Sequence, residues 1–491
     1  MKAAIEVLRE LSDNRRLLAD LDEDDHRELL IRAGQVARPG PYAKRELARE
    51  VRKRRRKVER DANGRVLAGT GIRAKRRELV FQTPNYRTPP ELVQSLGKSE
   101  LGEGAAKLSG ERNCYICKES YSELHSFYDS LCISCADYNY GKRTQRADLS
   151  GRIALITGAR VKIGYQAAIL LLRAGAKVIV TTRFPRDAAR RYAAESDAAQ
   201  WAHRLEIHGL DLRHIPSVET FARNLCTSQP QLDFIINNAC QTVRRPAGFY
   251  QHLLQGEAGE RGLLPACEAS LLACSTGASP TDAVTLSGDA LPDSAELSQA
   301  ILLDEDKLGG ESIFPQGLLD QDLQQVDRRK INSWRLPLAD VSTVEVLEVQ
   351  LVNTIAPFLL NARLKELMMR RTSEDKHIVN VSAVEGQFYR SFKTDKHPHT
   401  NMAKAALNMM TRTSAVDYVK HGIHMNSVDT GWVSDEDPAD HAARKEAEHG
   451  FHPPLDIVDG AARIVDPIFS GMNSGNHQWG LFLKDYKPTA W

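Results

Sequence analysis

The segment 153–182 constrains the fold of this 491-residue chain more than any other stretch. It reads as an apolar strand, a glycine-containing turn, an amphipathic helix and a second apolar strand. In a β-α-β unit of this kind, the turn presents backbone N–H groups and a helix N-terminus to a pyrophosphate. We therefore predict an α/β fold with a Rossmann-type, doubly wound parallel sheet that binds a dinucleotide at this turn.

The composition narrows the class of protein. Hydrophobic residues make up 42% of the chain and charged residues 26%, as in ordinary globular proteins, and the length suggests two or three domains. The net charge of +2 gives no overall attraction to nucleic acid or membrane. We expect no membrane span and no signal peptide, because charges interrupt the apolar runs. The chain is thus expected to be cytoplasmic, with its cysteines as thiols or metal ligands.

Residues 1–110 are predicted to be a helical, basic region followed by an extended connector over about 61–110. Between residues 44 and 60, ten basic residues stand against three acidic ones, and the run 52–57 is unbroken. This run can bind phosphates or a protein partner, or act as a nuclear-import signal. It can equally be a solvated helix face, since no aromatic residues alternate with the charges.

Two Cys-x-x-Cys pairs mark a small cysteine module at residues 111–145. The pairs are separated by fourteen residues, a spacing that places four thiolates around one tetrahedral ion. A redox pair or four unrelated thiols are the alternatives. We predict a structural zinc site without an open coordination position, whose ligands are Cys114, Cys117, Cys132 and Cys135.

From residue 149 to 491, one insertion excepted, the chain is similar to the short-chain dehydrogenase/reductase family. The family's signature Thr-Gly-x-x-x-Gly-x-Gly corresponds to Thr157-Gly-Ala-Arg-Val-Lys-Ile-Gly164, in which Lys162 replaces the middle glycine. By resemblance this turn holds the pyrophosphate, and Lys162 either tightens the pocket or offers its ammonium group to the phosphates. The cofactor contacts that the resemblance implies here are Gly158, Arg160, Lys162, Ile163 and Gly164.

The ends of the next strands indicate which nicotinamide cofactor is bound. NAD enzymes of this type carry an acidic residue after the second strand, whereas NADP enzymes place an arginine near the 2′-phosphate. Here the strand ends at Arg183 without a carboxylate, and Arg160 can add a second charge, so we predict NADP rather than NAD. Cys240, which replaces a signature glycine, is expected to be a core thiol. The resemblance assigns further cofactor contacts to Asp211, Leu212, Asn238 and Ala239.

Residues from about 243 to 332 do not follow the family pattern. They include a Ser/Thr/Ala/Gly-rich tract over 269–291 and an acidic patch at 304–306. We interpret this insertion as partly disordered or as a lid over the substrate side.

The resemblance also implies the catalytic residues. Asn353 corresponds to an asparagine that holds a water in the proton relay, and Lys404 corresponds to the lysine that binds the ribose. Ser382 corresponds to the first residue of a Ser-Ser pair whose second position is Ala383 here. The family's tyrosine, four residues before the lysine, is replaced by Thr400. An aliphatic hydroxyl is far less acidic than a phenol, so the usual relay cannot run from this threonine alone.

Two further sets of residues complete the predicted site. Gly431 and Val433 lie in the turn that covers the nicotinamide in the family, with a threonine in place of the usual proline. A replacement acid can come from Tyr389, His397 or His399, although each can also be an ordinary loop residue.

Two functions remain open from the sequence. The first is an NADP-dependent oxidoreductase for a carbonyl or alcohol, with altered or weak turnover and an unidentified substrate. The second is an inactive nucleotide-binding scaffold or sensor that contacts a protein or nucleic acid through its zinc module and basic helix. A homo-oligomer is expected by resemblance, paired through the helices around Asn353 and Lys404.

Overall fold

The computed structural model describes residues 1–84, 106–258, 264–272, 293–389 and 393–491. These residues form two compact units, Met1–Val66 and Leu67–Trp491.

The first unit is helical. Asp22 caps its second helix by accepting hydrogen bonds from two backbone N–H groups. None of residues 1–66, all of which the structure describes, is fully buried. Helix propensity and surface charge therefore stabilise this unit more than a core does. Its helices are α1 (Lys2–Asp13), α2 (Glu23–Ala37) and α3 (Pro41–Ala68).

The second unit begins with a short helix and the cysteine module. The expected extended connector over 61–110 is wrong for its first part, because residues up to Arg76 are helical and Ile72 is buried. Backbone hydrogen bonds from Gly71 and Ile72 to the module hold this segment. Residues 85–105 of the connector lie outside the described residues. The elements are α4 (Gly71–Arg76), β1 (Lys107–Asn113), β2 (Ser120–Glu123) and α5 (Ile133–Arg143).

An eight-stranded sheet forms the centre of the second unit. Its strands are β3 (Ile153–Thr157), β4 (Lys177–Thr182), β5 (Leu205–Gly209), β6 (Phe234–Asn237), β7 (Lys376–Ser382), β8 (Ile423–Asp429), β9 (Phe482–Lys484) and β10 (Lys487–Thr489). The spatial order is β10-β9-β8-β7-β6-β3-β4-β5, and every pair is parallel except β10 with β9. The order reverses between β3 and β6, where ligands of such sheets bind. The predicted Rossmann-type sheet is confirmed.

Helices cover both faces of the sheet. The helices Lys162–Arg173 and Ile457–Ser474 share one apolar layer with alternate residues of the strands. The helices Ile215–Ser228, Ala356–Met369 and Pro398–Tyr418 share the layer on the other face. The helices are α6 (Lys162–Arg173), α7 (Pro185–Ala193), α8 (Ala198–Trp201), α9 (Ile215–Ser228), α10 (Gln251–Glu257), α11 (Ala266–Ala269), α12 (Thr343–Gln350), α13 (Ala356–Met369), α14 (Pro398–Tyr418), α15 (Ala439–His449) and α16 (Ile457–Ser474).

Helices α12 and α13 are joined by a π-helical turn, Leu351–Ile355, which contains Asn353. Turns of this kind occur often at functional sites. Within the described residues, the continuous segment Thr343–Met369 is one helix long and apolar enough to cross a membrane by length and composition alone. Its buried side chains, such as Leu360 and Leu364, pack in the core of the sheet, which accounts for its apolar face.

The described part of the insertion is anchored to the sheet domain. Leu271 accepts a backbone hydrogen bond from Ile207 at the sheet edge. Asp306 of the acidic patch is buried in an ion pair with Arg244, which also pairs with Glu348 of α12 at 3.0 Å, so Arg244 ties the patch to the sheet domain. Most of the Ser/Thr/Ala/Gly-rich tract, residues 273–291, lies outside the described residues.

Candidate functional site

A cleft of ≈ 620 Å³ opens at the carboxyl ends of the parallel strands. Its walls come from the glycine turn, the ends of β4 to β8, the insertion and the segment after β8. Most of the residues predicted for the site line this cleft: Gly158, Arg160, Lys162, Ile163, Gly164, Arg183, Asp211, Leu212, Asn238, Ala239, Ser382, Thr400 and Lys404. Asn353, Gly431 and Val433 are not among the lining residues.

The glycine turn packs so closely that side chains are excluded at two positions. A Cβ at Gly158, whose φ is +68°, would lie 2.8 Å from the Cα of Ala239. A Cβ at Gly164 would lie 2.6 Å from the carbonyl oxygen of Gly158. Asn238 fixes the turn by donating to the carbonyl oxygens of Thr157 and Gly158 at 3.0 and 3.1 Å. The backbone at the N-terminus of α6 therefore stays open to a phosphate.

Lys162 adopts a backbone conformation that favours glycine. Its φ is +56°, in the left-handed region, which costs a non-glycine residue about 1 kcal/mol. Burial lowers the pKa of its ammonium group, but Glu436, Asp322 and Asp320 raise it by more. The ammonium group is therefore held as a cation beside carboxylates of the insertion and of the segment after β8.

The two arginines predicted for the 2′-phosphate differ in their partners. Arg160 is buried and forms an ion pair with Asp187 at 2.6 Å. Arg183 donates to the hydroxyl of Tyr250 at 2.7 Å and lies over its ring at 4.6 Å. Among the described residues, no carboxylate lies within ion-pair distance of Arg183. Its positive charge is therefore the more available of the two for an anion in the cleft.

Asp211, which follows β5, and Cys240, which follows β6, differ in burial and in their partners. Burial would raise the pKa of Asp211, but hydrogen bonds and charge from Arg213 lower it, so this carboxylate is ionised and paired. Cys240 was expected in the core, and that expectation is wrong: its side chain is exposed and lines the cleft. The reason is that β6 ends at Asn237, so Cys240 lies beyond the sheet.

The catalytic end of the cleft contains an unpaired hydroxyl. Ser382, the last residue of β7, is buried, and its Oγ has no hydrogen-bond partner among the described residues. A buried hydroxyl without a partner is costly, so this oxygen is suited to a ligand atom. Lys404 donates from Nζ to the carbonyl oxygen of Val381 at 2.8 Å.

Thr400 and Lys404 lie one turn apart on α14 and both line the cleft. The Thr400 hydroxyl donates to the carbonyl oxygen of His397 at 2.8 Å and lies 3.2 Å from Nδ1 of the same histidine. The imidazole ring of His397 stacks on Trp334 with 3.8 Å between the ring centroids, and burial lowers its pKa. The structure therefore places an imidazole directly behind the residue that replaces tyrosine.

The other predicted residues lie outside the cleft. Asn353 is buried and bonds the backbone of Gln241, accepting from its N–H at 2.7 Å. Tyr389 is exposed, with its hydroxyl beside Gln387. His399 is buried 3.7 Å from a carboxylate oxygen of Glu345. Of the three candidate acids, His397 alone contacts a predicted catalytic side chain.

Sequence reasoning missed several residues that line the cleft: Arg245, Tyr250, Asp327, Trp334 and Glu385. Four of them lie in or directly after the segment 243–332, in which the sequence analysis found no family motif. Glu385 lies two residues after Ala383, and this closeness to a predicted catalytic position could have indicated that it lines the cleft. The insertion thus forms a wall of the cleft.

The four predicted zinc ligands converge. The thiol sulfurs of Cys114, Cys117, Cys132 and Cys135 lie within 4.8 Å of one another. The sulfurs of Cys117 and Cys132 are 3.6 Å apart, close to the about 3.8 Å expected for two thiolates on one tetrahedral zinc ion. The donor set therefore fits a closed, four-coordinate metal site.

Two family models match the chain. The short chain dehydrogenase model matches residues 152–253, and the enoyl-(acyl carrier protein) reductase model matches residues 331–452. Residues 254–330, in the insertion, lie between the two matches. The chain belongs to the short-chain dehydrogenase/reductase family of oxidoreductases and is a divergent member of it.

Individual relatives share different lengths of the chain. The "Uncharacterized protein R665" of Acanthamoeba polyphaga mimivirus is 31% identical over 392 residues, which are 76% of this chain and 74% of that protein. Dehydrogenase/reductase SDR family member 13 of Bos taurus is 38% identical over 106 residues, 20% of this chain and 27% of that protein. The solved NADPH-bound carbonyl reductase from chicken fatty liver has 18% identity and a TM-score of 0.42, over 70% of this chain and 100% of that one.

Proposed function

We propose that this protein binds NADP(H) in the cleft and reduces a carbonyl compound, or oxidises the corresponding alcohol, with a modified proton relay. The observation that carries the proposal is the unpaired Ser382 hydroxyl, which lies in the same cleft as Lys404 and the glycine turn. Arg183 supports NADP over NAD, because no described carboxylate lies within ion-pair distance of it. Lys404 would bind the ribose, and Ser382 would donate a hydrogen bond to the substrate oxygen.

We propose that Thr400 and His397 together replace the tyrosine. When bound, the nicotinamide supplies the hydride to the carbonyl carbon. The Thr400 hydroxyl gives its proton to the substrate oxygen and takes one from Nδ1 of the protonated His397, which solvent then reprotonates. The 3.2 Å separation between these two atoms supports the relay. Because burial lowers the pKa of His397, only a fraction of it is protonated at pH 7, so turnover is expected to be slow.

The test has two stages. NADPH fluorescence titration measures binding, and NADPH consumption is then measured against a panel of aldehydes and ketones. The relay predicts that reduction speeds up as the pH falls toward the pKa of His397, and that His397→Gln loses this pH dependence with unchanged NADPH affinity. His399→Gln is the matched control. Tight NADPH binding without consumption of any substrate would contradict the enzymatic proposal.

The second candidate function is a nucleotide-binding scaffold that contacts a polyanion. Helical spacing in α3 brings seven cations to one face, with few acids among them: Arg45, Arg49, Arg52, Lys53, Arg56, Lys57 and Arg60. Exchanging Arg49 and Arg56 for glutamate should weaken binding to short duplex DNA, measured by fluorescence anisotropy. The same exchange at Lys44 and Arg54, which lie on other faces, should have less effect. Equal losses in both variants would favour an ordinary solvated helix.

We further propose that a structural zinc ion occupies the cysteine module and that the protein forms a homo-oligomer. Metal analysis of the purified protein tests the zinc proposal, with one zinc per chain expected.

The proposed homo-oligomer is supported by exposed apolar side chains on the helices around Asn353 and Lys404: Leu347, Ile355, Phe358, Met402, Met409 and Val416. Light scattering on Phe358→Glu should then show a smaller assembly than the wild type.

A further inference from the structure

The cysteine module contacts the turn at the catalytic end of the cleft. Tyr115 lies between Cys114 and Cys117 in the sequence. Its hydroxyl accepts a hydrogen bond from the backbone N–H of Trp432 at 3.0 Å. Trp432 belongs to the turn at residues 430–433, and Thr430 of this turn lines the cleft. Tyr115, which lies between two predicted metal ligands, is therefore hydrogen-bonded to the backbone of the turn at residues 430–433.

The conformation of this turn depends on its neighbours. Gly431 has a φ of +75°, and a Cβ there would lie 2.6 Å from Leu455 and 3.6 Å from the Tyr115 hydroxyl. At the end of the turn, Val433 packs against Gly460 of α16, where a Cβ would lie 3.2 Å from it. The turn is thus tightly packed between the module on one side and α16 on the other.

The module also fixes the N-terminus of α16. Arg143, the last residue of α5, is fully buried and forms two hydrogen bonds to Asp456, at 2.5 and 2.6 Å. Asp456 caps α16. Tyr128 of the module donates to Asp459, in the first turn of the same helix, at 2.5 Å. Breaking a buried charge pair of this kind is costly, so the module and α16 are expected to behave as one element.

The metal would set the position of the Tyr115 hydroxyl. The module buries apolar side chains such as Leu124 and Leu131, and an ion held by the four thiolates would add the folding free energy that structural zinc commonly supplies. The knuckle that carries Tyr115 turns sharply, with Lys118 at a φ of +67°. Loss of the ion would release the two cysteines on either side of Tyr115 and so would loosen the position of its hydroxyl beside Trp432.

We propose that Tyr115 is a positioning residue for the nicotinamide half of the cofactor, and that metal occupancy of the cysteine module sets the affinity for that half. The inference rests on the proposed binding of NADP(H), whose nicotinamide end would lie near Thr430 of this turn. The adenosine half would lie near Arg183 and Asp211 and would not depend on Tyr115.

The test compares two ligands on Tyr115→Phe. NADPH contains both halves of the cofactor, whereas 2′,5′-ADP contains only the adenosine half with its phosphates. The variant should bind NADPH about 2- to 10-fold more weakly, the effect of one hydrogen bond, and should bind 2′,5′-ADP as the wild type does. Tyr121→Phe is the matched control, because the Tyr121 hydroxyl bonds within the module to Asp129. Its affinity for both ligands should be unchanged.

Removing the metal with a chelator should weaken NADPH binding by at least as much as Tyr115→Phe and leave 2′,5′-ADP binding unchanged. Adding zinc back should restore the wild-type affinity for NADPH. Metal content is measured for each variant, so that loss of the hydroxyl is separated from loss of the ion. Wild-type NADPH affinity in Tyr115→Phe, or equal weakening of both ligands, would overturn the inference. A wild-type protein that binds neither ligand would instead overturn the proposed function.

Discussion

In the phosphate-binding half of the cleft, Lys162 departs from the family pattern, but Gly158 and Gly164 match it, and the backbone leaves no room for anything larger at these two positions. In the catalytic half, Ala383, Thr400 and Thr430 all differ from it. Two buried carboxylates at strand ends, one in each half, also differ in their pKa shifts. The carboxylate that follows β5 is paired with an arginine, whereas the one that ends β8 has its pKa raised by burial.

Cofactor binding depends on the backbone geometry of the phosphate site, whereas catalytic turnover depends on the side chains of the proton relay. A phosphate site built from backbone N–H groups fails when the backbone moves, so its glycines have few substitutes. A proton relay depends on side chains, and another acid within reach can take the place of one that is lost. A chain can therefore keep its cofactor while its chemistry slows or changes.

The largest effect is expected in the phosphate-binding half. Gly164→Ala places a Cβ 2.6 Å from the carbonyl oxygen of Gly158, so the turn must move. NADPH affinity should fall by more than about 100-fold, as fluorescence titration would show. Gly64→Ala is the control, since nothing lies within 4 Å of its Cβ position. Unchanged NADPH binding in Gly164→Ala would remove the contrast between the halves.

In the catalytic half, a substitution is expected to increase activity. Thr400→Tyr restores a phenol four residues before Lys404, and it should raise NADPH consumption about 10- to 100-fold with the best substrate of the panel. Thr400→Phe has the same bulk without the hydroxyl and should give no increase. If both variants behave alike, the missing phenol does not limit turnover.

Much of the sheet could be predicted from the sequence because each buried parallel strand is a short apolar run followed by polar residues. Those polar residues meet at one edge of the sheet, which is why so many of the predicted cofactor residues line one cleft. The cysteine module was equally legible, because the Cys-x-x-Cys spacing carries its own geometry.

What could not be predicted depends on packing between distant segments. The positive φ of Lys162 follows from a turn shaped for glycine, and its acidic neighbours come from the insertion and from the segment after β8. Cys240 was misplaced because strand length decides whether its side chain faces the core. The helix at Ile72 was missed because its support is the cysteine module, about fifty residues further along the chain, at Ser126 and Phe127.

In the phosphate-binding half, Arg183 is expected to set the preference for NADPH over NADH. Arg183→Leu removes the arginine that has no described carboxylate partner, so NADPH affinity should fall about 10-fold while NADH affinity stays the same. Titration with both nucleotides measures the ratio. Arg190→Leu, at an exposed position of α7 outside the cleft, is the control. Equal losses for NADPH and NADH would show that Arg183 does not read the 2′-phosphate.

The smallest effect concerns the buried carboxylate at the end of β8. Burial raises the pKa of Asp429 from 3.8 to about 6, so the folded state binds its proton more tightly than the unfolded chain does. The contribution of Asp429 to the free energy of unfolding therefore falls by up to about 3 kcal/mol as the pH rises from 4 to 7. Asp429→Asn keeps the oxygen that accepts from Val384 but cannot ionise. Its thermal midpoint relative to the wild type should rise by a few degrees over this range.

The matched variant in the phosphate-binding half should behave in the opposite way. The pKa of Asp211 is lowered in the folded state, so its ionised form stabilises the protein above the ordinary pKa and the stabilisation is lost as the pH falls. Asp211→Asn should therefore melt below the wild type at pH 7, and the gap should narrow toward pH 3. Thermal scans of both variants from pH 3 to 7 measure the two slopes. Slopes of the same sign would mean that the two halves do not differ in how they hold buried charge.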